Sequence, residues 1–147
     1  MADSTALAVL KVDGFKERDV CDYKFSFAQA IDKDNRPTGI SRGSTLYVKV
    51  KANRNEENVE LLQWAKERAM KKDGHIQVFV PGEDNKDLTK IEFKEAYCVE
   101  YNQVWSDKIS AANARDLEHD GAFYYEEIWI TWRQFKCGGV AYENDWR

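Results

Sequence analysis

The 147-residue sequence has no apolar run approaching the ~20 residues that a membrane-spanning helix needs. Its opening, Met1-Ala2-Asp3-Ser4-Thr5, has neither the basic nor the apolar region of a signal peptide. Membrane insertion is therefore not expected. The chain is expected to be made and folded in the cytoplasm and to leave, if it does, by a route that reads no N-terminal signal. Charge of one sign is scarce as well: 22 basic and 26 acidic residues are mixed along the chain and leave a net charge of -4. Such a field does not gather nucleic acid or an anionic membrane.

Groups that carry chemistry are also few. The two histidines, His75 and His119, have no partner at metal-ligand spacing. The three cysteines, Cys21, Cys98 and Cys137, form no C-x-x-C pair, and their odd number leaves one unmatched under any pairing. Reduced thiols packed as small hydrophobes are expected. Asp32-Lys33-Asp34 suggests a calcium loop, but Pro37 stands where that loop needs glycine and Gly43 where it needs a bidentate glutamate. Glu126 and Glu127 cannot form a catalytic dyad, because neighbours on a strand point to opposite faces. No nucleophile elbow, P-loop or dinucleotide-binding turn occurs. Neither enzymatic activity nor a cofactor is expected.

What the chain does have is core material and strand patterning. Hydrophobic residues make up 43% of it and aromatics 13%, enough for one domain over residues 1–147. Leu7 to Val12 reads as a strand stopped by the turn Asp13-Gly14. Tyr23, Phe25, Phe27 and Ile31 share one parity of a second strand. Asp32 to Gly43 is a long polar connection with Pro37, Gly39 and Gly43, and connections of that length usually carry function. Leu46, Val48 and Val50 then alternate, as do Ile76, Val78 and Val80 before the turn at Pro81-Gly82. The longest alternating run sets Ile91, Phe93, Tyr97, Val99, Tyr101 and Trp105 opposite Lys90, Glu92, Lys94, Cys98 and Glu100. Ser106 to Gly121 is irregular and polar.

One helix is expected between Asn53 and Lys72, with Asn55 as N-cap, acidic residues at its start and basic ones before Gly74. Leu61, Leu62, Ala65 and Ala69 form its apolar stripe, and Trp64 falls outside the stripe. Two readings of Trp64 follow: a ring folded back over its own helix, or an anchor for another subunit. The run around Trp129 is apolar on both faces. Tyr124, Ile128, Ile130 and Trp132 lie on one, and Phe123, Tyr125, Trp129 and Phe135 on the other. A barrel wall covers one face, so the helix or a neighbouring copy must cover the second. The expected fold is mainly β, an antiparallel barrel or two packed sheets with one amphipathic helix.

Several segments in order resemble the hemolysin-coregulated protein (Hcp) family, the inner-tube subunit of type VI secretion systems. They are Leu10-Lys11-Val12-Asp13-Gly14, Cys21 to Phe27 with Gln29, Arg36-Pro37-Thr38-Gly39 with Arg42-Gly43, Leu61-Leu62-Gln63-Trp64, Ile91 to Tyr101, and Glu143-Asn144-Asp145-Trp146. Asn35 departs from the glycine expected before Arg-Pro. The resemblance implies a β-barrel that assembles as a homohexameric ring. It further implies rings stacked into a tube inside contractile sheath proteins, beneath a spike protein, exported with effectors. The loop residues Arg36, Pro37, Thr38, Gly39, Ile40 and Arg42 are candidates for the contact between rings, and Trp64 and Trp129 for contacts between subunits. The competing expectation is a monomeric ligand-binding barrel whose cavity is lined by Trp105, Trp129 and Trp132.

Overall fold

Strict alternation builds the wall of the molecule. In β5 (Leu46–Lys51), Leu46, Val48 and Val50 have no accessible surface, while Tyr47, Lys49 and Lys51 between them are partly exposed. The computed structural model describes residues 7–28, 32–36, 42–43, 45–52, 59–106 and 123–143. The expected N-cap Asn55, Ile31, most of the Ser106 to Gly121 segment and the terminal Asn144-Asp145-Trp146 lie outside them.

The remaining elements are β1 (Ala8–Val12), β2 (Arg18–Lys24), β3 (Phe27–Ala28), β4 (Arg42–Gly43), helix α1 (Glu60–Lys66), β6 (Lys72–Val80), β7 (Glu83–Ser106), β8 (Phe123–Thr131), β9 (Gln134–Cys137) and β10 (Val140–Glu143). An eight-stranded antiparallel sheet runs β10-β9-β7-β6-β1-β2-β5-β8, and a further pairing of β8 with β7 closes six of these strands into a barrel. The barrel is filled by Leu10, Val12, Leu46, Val48, Ile76, Ile91, Phe93, Ile128 and Ile130 with their neighbours. The mainly β expectation holds.

The 24-residue β7 takes part in both halves of the wall. Its first part pairs with β6 and β9, its second with β8. The corner between them is Glu95, a non-glycine residue at φ 50 whose amide donates to the Asp73 carboxylate at 2.9 Å. One extra residue there reverses the faces, so Ala96 and Cys98 are buried while Val99 is 54% exposed. A second shift between Cys98 and Glu100 restores the original phase, and Tyr101 again faces Glu126. The single parity expected from Ile91 to Trp105 is therefore corrected at Tyr97, Cys98 and Val99.

Two other expectations change. The second strand is β2, ending at Lys24; Phe27 belongs to β3, which pairs with β4 in a separate two-stranded sheet. The pairing of β3 with β4 thus brackets the Asp32 to Gly43 segment, together the arm, of which residues 32–36 and 42–43 are described. The helix is also shorter than expected: α1 ends at Lys66, where Glu67 turns extended at ψ 107, and Lys72 already belongs to β6.

Candidate functional site

Trp64 resolves the orientation of α1. Its side chain is fully buried, stacked on Phe93 with ring centroids 6.4 Å apart and met edge-on by Phe15 at 6.1 Å. Its indole N–H donates to the Met70 carbonyl at 3.0 Å, which pins the chain as it leaves the helix toward β6. Leu62, assigned to the apolar stripe, is instead 44% exposed. The buried face is Leu61 and Trp64, because the helix has too few turns for a stripe to average over and must seal Phe93. Neither reading of Trp64 from the sequence survives: the ring neither lies on the helix surface nor offers itself to a neighbour.

Among the described residues the helix packs chiefly on β7, not on the outer face of β8. That face carries Tyr125, Glu127 and Trp129, flanked on β5 by Tyr47 and Lys49. Phe135 is not on it; it lies on β9, buried in the core. The Trp129 ring packs on Tyr47 at 5.1 Å, and the Tyr47 hydroxyl donates to Glu127. The Lys24 ammonium lies 5.6 Å from the Tyr47 centroid, and that of Lys49 lies 4.1 Å from the Tyr125 centroid. Burial and the Glu127 carboxylate push the Tyr47 hydroxyl pKa upward, so it stays a neutral donor. A hollow of about 190 Å³ beside Trp129 is lined by Lys24, Phe25, Ser26, Thr45 and Tyr47. The second face is therefore aromatic and charged, and half-exposed, where the sequence pattern suggests a purely apolar one.

The opposite side of the same strand carries a buried polar node. Glu126, with no accessible surface, accepts from Arg18 and from the Tyr101 hydroxyl. Arg18 also donates to the Lys51 carbonyl through Nε at 3.2 Å and Nη2 at 2.8 Å. Burial and Glu126 push the Tyr101 hydroxyl pKa upward. Four strands meet at this node. Glu126 and Glu127 thus face opposite ways, as the period of two requires.

The arm begins where Phe27 and Ala28 pair with Gly43 and Arg42. In its outer part the Asp32 amide donates to the Arg36 carbonyl at 2.9 Å, and the Asp32 carboxylate accepts from the amides of Asp34 at 2.8 Å and Arg36 at 3.0 Å. Asn35 adopts φ 65. This explains the departure noted in the sequence, since asparagine is among the few residues other than glycine that tolerate the left-handed region. Arg36 is exposed. Arg42 is placed by its backbone alone, and Pro37, Thr38, Gly39 and Ile40 lie outside the described residues.

The three tryptophans of the ligand-barrel expectation do not line one cavity. Trp132 is buried against Phe135 at 4.6 Å, Trp129 lies on the outer face, and Trp105 is 61% exposed near the end of β7. Among the described residues no group of three or more histidine, cysteine, aspartate or glutamate side chains is placed to hold a metal ion.

The described residues form a side-chain-filled barrel with a separate two-stranded pairing beside it, a fold of the Hcp class. The chain belongs to the Hcp family: the family model described as "Hemolysin coregulated protein Hcp (TssD)" matches residues 4–147. Hcp1 from Flavobacterium johnsoniae is similar at 25% identity and TM-score 0.73, covering 94% of this chain and 99% of that one. Hcp1 from Salmonella typhimurium shares the fold at 12% identity and TM-score 0.65, over 92% and 93% of the two chains. The secreted protein Hcp3 from Pseudomonas aeruginosa does so at 11% identity and TM-score 0.59, over 95% and 99%. No curated protein matches the sequence. The family is that of the type VI secretion tube protein, whose role is structural and not enzymatic.

Proposed function

We propose that this chain is the repeating subunit of a type VI inner tube, assembling as six-membered rings that stack inside a contractile sheath beneath a spike. The rings leave the cell with effectors when the sheath contracts. The family match over residues 4–147 carries this reading.

A closed ring needs two different patches of each subunit to meet head to tail. The outer face of Tyr47, Tyr125 and Trp129 is the candidate for one of them, because its aromatic surface is half-exposed in the single chain and ringed by Lys24, Lys49 and Glu127. Stacking needs a further contact along the axis. The arm is the candidate for it, through Arg36, Pro37, Thr38, Gly39, Ile40 and Arg42, with the two guanidinium groups pairing with acidic groups of the next ring.

Electron micrographs of the purified protein should show annular particles. Replacing Arg36 and Arg42 with alanine should leave the rings intact and shorten or abolish stacks. Loss of the rings themselves would assign the arm to the lateral contact instead, and intact stacking would remove it from the axial one.

A further inference from the structure

The arm is joined to the barrel in an unusual way. Among the described residues its two strands pair with each other, in a two-stranded sheet separate from the eight-stranded one. Side chains must therefore set its direction. At its base the Phe27 ring meets Tyr142 at 5.1 Å, Phe135 at 5.6 Å, Trp132 at 6.2 Å and Phe25 at 6.3 Å. Those four rings come from three places in the main sheet: β10, the β8–β9 corner with β9, and the end of β2. Three of them hold one another independently of Phe27, since Phe25 packs on Phe135 at 4.8 Å and Trp132 on Phe135 at 4.6 Å. Phe27 itself is 38% exposed, so it is seated on this platform rather than built into the core.

We infer that Phe27 is a positioning residue, an aromatic latch that fixes the angle at which the arm leaves the barrel and so presents Arg36 to the neighbouring ring. The inference deepens the proposed axial contact and rests on that reading for its consequence in assembly. The latch itself stands on the geometry of the ring cluster. The contacts of Phe27 with Tyr142 and Phe135 are edge-on, an arrangement that constrains ring orientation as well as excluding water. An arm hinged on two paired residues per strand, without this seat, sweeps a range of directions, and only a fraction of them meets the next ring. Apparent stacking affinity then falls by that fraction.

The test compares Phe27→Ala, Phe27→Tyr and the Arg36→Ala/Arg42→Ala double variant with the natural chain. It reads three things: thermal midpoint, hydrogen exchange by mass spectrometry over residues 25–45, and tube length by electron microscopy. Phe27→Ala should speed exchange in that peptide by about tenfold or more, leave exchange in β5 and β8 unchanged, keep single rings and lose stacks. Phe27→Tyr, which keeps the ring, should restore both protection and stacking. Should Phe27→Ala lower the midpoint of the whole barrel, Tyr142→Leu removes the facing ring from the other side and should give the same local effect. Unchanged exchange in Phe27→Ala and Tyr142→Leu overturns the latch, whatever stacking does. Faster exchange with normal stacking, when the arginine variant no longer stacks, overturns its positioning role. Faster exchange while the arginine variant still stacks overturns the axial reading and leaves the latch standing.

Discussion

Arg18 and Glu126 are two charges withdrawn from water, and each is held by more than the other: Arg18 by the Lys51 carbonyl, Glu126 by the Tyr101 hydroxyl. Removing one partner of such a pair leaves a buried charge uncompensated and costs about 3–5 kcal/mol. Glu126→Gln should therefore lower unfolding free energy by about that amount in urea titrations, while Arg18→Met/Glu126→Leu, which removes both charges, should cost less than the single change. The thiols divide by environment in the same way. Burial pushes the Cys98 pKa up to about 12, against weaker opposing bonds with the Glu100 and Trp129 backbone. Cys21 is exposed. A thiol reagent at pH 8 should label Cys21 in the folded protein and Cys98 only after unfolding. His75 is held below its ordinary 6.5 by burial and by Lys90, opposed by Glu92, Glu17 and Asp13. The unfolded chain takes up this proton first as pH falls, so the histidine costs stability below about pH 6.5 and nothing above it. The drop in urea midpoint between pH 7.5 and 5.5 should be smaller in His75→Gln than in the natural chain.

Elements depend on where backbone and ring come close. A Cβ at Gly74 would stand 2.6 Å from the Lys11 carbonyl oxygen and 2.7 Å from the Phe93 ring. Gly74→Ala should destabilise by about 1–3 kcal/mol, since a neighbouring strand's backbone cannot step aside. Trp64→Ala, next to the same Phe93, should cost about 3–5 kcal/mol, while Leu62→Ala on the exposed face should fall within about 0.5 kcal/mol. The two helix variants check the rotation of α1 directly. They also mark where sequence pattern loses its grip. Strands β5 and β6 were legible because alternation decides a two-sided wall, and β1 because the Asp13-Gly14 turn stops its run. The helix was not, because a stripe over 20 residues is meaningful only if the helix lasts, and α1 spans Glu60–Lys66. Nor was the phase of β7, since two shifts that cancel leave the parity at Ile91 and Tyr101 alike and hide the reversal between them. The pairing at the base of the arm was not legible, because β3 and β4 are two residues each.

The whole molecule combines a closed, filled barrel with three outward features: the arm, the Trp129 face and the open edge of β10. Closure satisfies the edges of six strands, so lateral growth must come from side chains on a face or from the few strands left outside the barrel. The Trp129 face was legible through its aromatic residues, whereas its charged character was not: Glu127 and Lys49 become part of it only when β5 lies beside β8 in this register. The central claim is that this chain closes into a six-membered ring. Size-exclusion chromatography with multi-angle light scattering measures it most directly. The account predicts a particle of about 103 kDa, six times the 17.1 kDa chain; a single species of 17.1 kDa persisting up to high protein concentration would contradict it.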